Sequence, residues 1–192
     1  MNKEEWEKDW WGTCQNTYGE EEKQLVYARK MGLTFFHNGK SPYNIDMQGK
    51  SVLDIGGGPC SLLLKCVNVD DAKVVDPTKF PDWVYKRYDD AGIEYEIQSG
   101  EDFPSSMTEW WDECWIYNVL QHTRSPMEVI ANAKRQAKLI RIFEWIDTPT
   151  NIGHPHTLTE EQLNQWLGGE GKVEILSESG CTGKAYYGVF PT

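Results

Sequence analysis

The chain has 192 residues, which suits one domain with a sizeable core, and 39% of them are apolar, ordinary for a globular protein. Its formal net charge of −11, with no basic run, counts against duplex nucleic acid, bulk RNA and anionic membrane surfaces as partners. Five cysteines at scattered positions (14, 60, 66, 114 and 181) with no C-x-x-C pair count against a disulfide framework or a zinc site; they point to reduced thiols and a cytoplasmic protein.

Residues 1–19 are acidic and aromatic together, with Trp6, Trp10, Trp11 and Tyr18. Disordered tails rarely carry so much aromatic surface, so this segment is expected to fold onto the domain as core or as a lid. It has no apolar stretch of the kind found in secretion signals, and no apolar run in the chain approaches membrane-spanning length. Thr17 and Glu20 fit a capping box that opens a helix over residues 18–31, ended by Gly32. Residues 37–48 read as a loop, with Gly39, Pro42 and Asn44 as turn formers.

From Lys50 the pattern changes. Residues 51–55 read as a strand, Gly56-Gly57-Gly58-Pro59 as a turn, residues 61–67 as a helix and 72–75 as a second strand ending at Asp76-Pro77: a βαβ unit. A helix over 83–91, strands over 93–98 and 111–117, and a helix opened by Ser125, Pro126 and Glu128 follow. A strand over 138–143 precedes a capping box, Thr159 to Gln162, whose helix stops at Gly168-Gly169. Residues 172–177 and 185–190 close the chain as two strands. The alternation implies an α/β fold, a doubly wound and mostly parallel sheet, with the last two strands as an antiparallel edge hairpin.

The informative string is VLDIGGGPCSLLL, residues 52–64. Glycines after a first strand let a ligand approach the backbone and point amide N–H groups at it. Asp54 would face the pyrophosphate of a dinucleotide with like charge and suits instead a ligand carrying cationic groups. Asp76, at the end of the second strand, can accept hydrogen bonds from ribose hydroxyls.

These residues resemble the first motif of the class I S-adenosylmethionine-dependent methyltransferases, an acid followed by alternating glycines: Asp54, Gly56 and Gly58 match, and Cys60 stands at the third glycine. The likeness covers about residues 51–143. It implies a Rossmann-like methyltransferase fold, S-adenosylmethionine as cofactor, and methyl transfer to a small-molecule acceptor. It places Asp76 and Pro77 at the ribose side, Gly100 and Glu101 beside the adenine, and Asn118 in the segment after the strand at 111–117. Tyr18 and the Trp10-Trp11 pair are expected to cover cofactor or substrate, or to pack in the core.

Ligands in such sheets lie beyond the carboxyl ends of the strands, which brings Asn118, Gln121, His122 and Glu144 near the reaction. His122 and Glu144 are the catalytic candidates, against a structural cap and a solvated loop carboxylate as their plainer roles. His154 and His156, in an H-P-H element, are read as loop structure or substrate contacts rather than metal ligands. The expectation is one domain over residues 1–192, with a helical cover over about 1–48. Two other functions stay open: a non-catalytic S-adenosylmethionine-binding or partner-binding module, and an NAD-linked oxidoreductase, which Asp54 and the serine at position 61 disfavour.

Overall fold

A computed structural model describes residues 3–36, 44–103 and 110–192. Two helices lead the chain, α1 (Lys3–Trp11) and α2 (Tyr18–Lys30), followed by β1 (Phe35–Phe36) and β2 (Asn44–Ile55). Two short 3-10 turns, Gly58–Cys60 and Leu62–Lys65, connect β2 to β3 (Cys66–Val75). Then come α3 (Asp82–Asp90), β4 (Glu94–Glu96), β5 (Glu113–Tyr117), a 3-10 turn at Leu120–His122, α4 (Pro126–Gln136) and β6 (Leu139–Trp145). The chain ends with α5 (Glu160–Leu167), β7 (Lys172–Glu178) and β8 (Cys181–Pro191).

The strands form one sheet in the order β4-β3-β2-β5-β6-β8-β7, with β1 paired antiparallel to β2. β4, β3, β2, β5 and β6 run parallel, whereas β8 is antiparallel to both β6 and β7. The expected mostly parallel sheet with an antiparallel C-terminal hairpin is therefore present. The hairpin turns through Ser179 and Gly180, both at positive φ (46° and 76°), the backbone that a two-residue turn between twisted strands requires.

Both faces of the sheet are covered, so neighbouring residues on one strand enter different cores. Val52 and Trp115 pack with α2 and α3 through Tyr27, Met31, Val84 and Tyr88. Leu53, Ile55 and Ile116 pack with α4 and α5 through Val129, Ile130, Ala133 and Leu163. Each fully buried aliphatic side chain contributes about 2 kcal/mol, which makes the central strands continuous apolar runs. Successive strands are laid outward from β2 first on one side (β3, β4) and then on the other (β5, β6). The crevice between the carboxyl ends of β2 and β5 is thus the topological switch point, where ligands bind in such sheets.

Several local expectations change. Residues 44–48, read as loop, open β2: Ile45 and Met47 are buried and alternate with Asp46 and Gln48. The turn-forming residues Gln48 and Gly49 (φ 56° and 76°) sit at a register shift rather than at the strand's start. The rest of that loop, residues 37–43, lies outside the described residues. The helix expected over 61–67 is replaced by the 3-10 turn Leu62–Lys65, because Cys66 and Val67 already pair with Ile45 and Asp46 in β3. Helix α2 forms without its capping box: the Thr17 hydroxyl donates to the Glu21 carboxylate at 2.8 Å. At α4, Ser125 makes no side-chain cap; Glu101 Oε1 instead accepts from the Arg124 and Ser125 amides at 2.6 and 3.2 Å. The Thr159–Gln162 box and the left-handed Gly168 stop are both present at α5.

Candidate functional site

The glycine turn follows β2 directly. The Gly56 amide donates to Val75 O at 2.7 Å, tying the turn to the end of β3. Gly56 lies at φ 76°, and a Cβ there would stand 2.1 Å from Val119 Cγ2, so neither the backbone nor the space admits a side chain. A Cβ at Gly57 would come 2.7 Å from Asp54 Oδ2. The turn therefore rests directly on the Asp54 carboxyl.

Asp54 is fully buried. Its Oδ2 accepts from Tyr117 OH at 2.6 Å and from the Ser61 hydroxyl, while Oδ1 has no partner among the described residues. Burial pushes its pKa up to about 7 against those two hydrogen bonds, and the neighbouring Asp76 charge adds to the rise. Tyr88 completes the support: its hydroxyl donates to Gly58 O and accepts from the Ser61 amide, both at 2.8 Å. Tyr117 OH also accepts from the Leu62 amide at 3.1 Å. Ser61, which the sequence presented only as a missing glycine, is a partner of the buried acid. Tyr88 and Tyr117 gave no signal beyond core aromatics, since their hydroxyl partners come from a turn distant in sequence.

Asp76 follows the last residue of β3 and is 8% exposed. Oδ2 accepts from the Gly58 amide at 3.1 Å and Oδ1 from the Thr78 amide at 2.8 Å. Burial raises its pKa to about 6, opposed by those amides and helped by Glu7. Pro77, next to it, is exposed. Gly100 lies against Ile55 and Val129, with its carbonyl and that of Glu101 held by Asn132 Nδ2. The Glu101 carboxylate is engaged at the start of α4 and by Ser99. Tyr18 is 70% exposed at the start of α2.

On the other side of the crevice, Asn118 follows β5 at φ 54°, a left-handed backbone that Asn tolerates better than most residues. Its Oδ1 accepts from the Nε2 of the buried Gln121. Glu144, fully buried, accepts from the Val119 and Leu120 amides through Oε1 at 2.9 and 3.0 Å. Its Oε2 has no partner among the described residues. Burial lifts this carboxyl to about 8 despite the two amide donors. His122 Nδ1 lies 3.4 Å from Glu7 Oε1, and its ring stands 4.5 Å from that of His154. Burial, followed by the His122 charge, lowers His154 to about 4. His156 Nε2 is 2.9 Å from Thr123 O, which makes that nitrogen a donor.

Helix α1 lies across these parts. Trp6 packs on Gly153 and sits 6.0 Å from the His154 ring, Glu7 reaches His122, and the Trp11 ring is 3.5 Å from where a Gly58 Cβ would be. The structure thus gathers Asp54, Gly56, Gly58, Asp76, Asn118, His122, Glu144 and His154 around one end of the sheet. Trp6 and Glu7 join them, contacts that no motif signals.

No protein-family model matches the chain, and no curated protein sequence matches it. Solved structures do. The magnesium protoporphyrin IX methyltransferase of Synechocystis PCC 6803 with bound S-adenosylmethionine superposes with a TM-score of 0.61 over 100% of this chain and 98% of its own, at 11% identity. The N-methyltransferase NodS of Bradyrhizobium japonicum WM9, in complex with S-adenosylhomocysteine, gives 0.59 over 90% and 86% at 14% identity. The [4+2]-cyclase SpnF gives 0.55 over 80% and 58% at 13% identity. The chain has the Rossmann-like fold of the class I S-adenosylmethionine-dependent methyltransferases.

Proposed function

We propose that the protein transfers a methyl group from S-adenosylmethionine to a small-molecule acceptor. One observation carries the reading: at the switch point, the glycine turn rests on one buried acid, Asp54, and is bonded through Gly58 to a second, Asp76. Beyond the turn the chain enters 3-10 turns of three and four residues rather than an α-helix. A dinucleotide pyrophosphate is held by a helix N-terminus and repelled by carboxylates, so this turn suits a ligand of net positive charge. The fold shared with S-adenosylmethionine-bound and S-adenosylhomocysteine-bound enzymes supports the same choice, as an analogy of fold.

In this reading the Asp76 carboxylate takes the ribose hydroxyls, with Pro77 beside it. The backbone at Gly56, Gly58 and Asn118 lies along the cofactor, Gly100 and Glu101 flank the adenine, and Asp54 supplies negative field through the turn. S-adenosylmethionine held by these residues would supply an electrophilic methyl on its sulfonium sulfur for a nucleophile of the acceptor. The chain's work is orientation and exclusion of water, to which α1 and Tyr18 contribute as covers. His122, His154 and His156 stand on the acceptor side. His154 is neutral above about pH 4, which leaves one of its ring nitrogens able to accept a proton. Glu144, lifted to about 8, is a neutral acid at pH 7 that holds the acceptor loop through Val119 and Leu120. We take residues 1–192 as one domain with a helical cover over about 1–48, in the cytoplasm. Five free cysteines support that compartment, and no described helix is long and apolar enough to cross a membrane.

Calorimetric titration with S-adenosylmethionine, S-adenosylhomocysteine and NAD tests the proposal, repeated with Asp76→Ala. The expected result is binding of both adenosyl ligands, weakened by the substitution, and none of NAD. A folded sample that binds NAD, or neither adenosyl ligand, refutes it. Turnover with a panel of acceptors then separates an enzyme from a binding module.

A further inference from the structure

The two edges of the sheet are built differently. β4, at one edge, has three residues, and its two glutamates pair with Lys73 of β3. A short, charged edge of this kind resists pairing with another chain. β7, at the other edge, has seven residues, pairs with β8 on one side and meets no strand on the other among the described residues. At its centre stands Ile175, 73% exposed, the most exposed large apolar side chain among the described residues. An edge of this length with an apolar centre offers a row of backbone N–H and C=O groups to a further strand.

β7 carries charges too, Lys172, Glu174 and Glu178, which commonly guard an edge. Here their order decides what can pair with them. A second copy can add its β7 antiparallel, about a two-fold axis normal to the sheet, and directly opposed residues then share a face. Side chains alternate between faces, so the axis must pass at a residue and not between two. With the axis at Glu174, that carboxylate meets its own copy; with the axis at Leu176, Glu174 meets Glu178 twice. With the axis at Ile175, Ile175 meets Ile175, Val173 meets Ser177, Glu174 meets Leu176, and Lys172 meets Glu178 on both sides. Opposite charges across a strand pair are favourable and like charges are not, so the charges select the one register that also pairs the whole strand. Behind it, Arg29 and Lys30 of α2 hold Glu178 and Glu174 at 3.2 and 2.6 Å. With Lys172, three cations meet two carboxylates here, in a chain of formal charge −11. The edge lacks the acidic surplus that keeps two copies apart elsewhere.

We propose that the protein forms a homodimer through β7, antiparallel to the β7 of a second copy and centred on Ile175, which joins the two sheets into one. β8 and β6 stand between β7 and β5, so the crevice lies outside the interface. β7 runs parallel to β6, so the two crevices open toward opposite ends of the shared sheet. The proposal depends on no reading of what the crevice binds.

Sedimentation equilibrium of the full chain over a range of concentrations tests it, with Ile175→Lys, Lys172→Glu, Glu178→Lys and the double variant of the last two. Wild type should pass from the monomer mass to twice that mass and no further. Ile175→Lys opposes two ammonium groups at the axis and should stay monomeric, with an unchanged circular dichroism spectrum to report that the fold is kept. Each single charge variant opposes like charges at two places and should weaken the dimer about 10-fold. The double variant restores both pairs and should recover most of that loss. A wild type that is monomeric at every concentration overturns the proposal and leaves the edge to a strand of another protein. So does an Ile175→Lys variant that still dimerises, or a double variant no tighter than the single ones. A mass that climbs past the dimer, the sign of an open head-to-tail contact, overturns it as well.

Discussion

Replacing Glu144 with glutamine should make the protein more stable at alkaline pH and leave it nearly unchanged at pH 5. The carboxyl is fully buried and lifted to about 8 by that burial, with only the Val119 and Leu120 amides to favour its charged form. Its folded pKa lies above the ordinary 4.5, so the fold favours the proton. The stability this confers is complete below about pH 4.5 and is lost as pH rises through 8. At about 1.36 kcal/mol per pH unit, the gap is worth about 5 kcal/mol, of which about 4 kcal/mol disappears between pH 5 and pH 9. Glutamine keeps an oxygen for the two amides and never ionises. Urea unfolding of both proteins at pH 5, 7 and 9 reads the difference, since Asp54 and Asp76 titrate in both and cancel. Stability curves that run parallel from pH 5 to pH 9 would refute the account of Glu144 as a neutral buried acid and return it to the pool of catalytic bases.

Three further outcomes follow from the same geometry. Gly56→Ala should cost about 3 kcal/mol in urea unfolding, from the left-handed backbone and the 2.1 Å approach to Val119, and Val119→Ala in the same chain should recover part of it. Glu113→Gln has the opposite pH sign to Glu144. Burial alone would raise Glu113, but Arg141, bidentate at 2.7 and 3.0 Å, and Lys50 hold it at about 2, so its contribution is present above the ordinary 4.5 and lost as pH falls through 2. The substitution should cost roughly 3–5 kcal/mol at pH 7 and little at pH 2, as measured by the denaturation midpoint. A cationic ligand beside Asp54 and Asp76 should draw both below their values of about 7 and 6. Affinity for S-adenosylmethionine should then rise from pH 5 to pH 8, and more steeply than for S-adenosylhomocysteine, which lacks the sulfonium charge; identical pH profiles in calorimetry would contradict this.

The fold was largely legible because its central strands are buried on both faces and announce themselves as apolar runs bounded by turns. Residues 51–55, 72–75 and 138–143 needed no knowledge of partners. What failed was local. Residues 61–67 carry helix-compatible apolar residues, yet the chain needs 66 and 67 as strand against residues 45 and 46, and a tertiary pairing overrides a local pattern. Thr17 has the spacing of a capping residue, but a nearby carboxylate, Glu21, takes its hydroxyl. At α4 the expected cap Ser125 makes no side-chain bond to the helix; Glu101 Oε1, from a turn distant in sequence, accepts from its amide and from that of Arg124.

The site divides along the same line. Asp54, Gly56, Gly58 and Asp76 are close in sequence because one βαβ-like unit carries them, and a motif can register that. The groups that set their chemistry are not close. Tyr117, on the neighbouring strand, and Ser61 supply the two hydroxyls on Asp54 Oδ2, and Tyr88 braces the turn from α3. Trp11 and Glu7 come from the first helix. Only the folded chain brings these together, and their effect runs against what the bare sequence implies. Asp54 reads as a charge, but burial makes it half protonated near pH 7, so its negative field strengthens when a cation draws it down. The preference proposed for this crevice, a positive ligand, therefore rests on the buried acids as a set, coupled through burial and through each other, and a single acid in a glycine motif understates it.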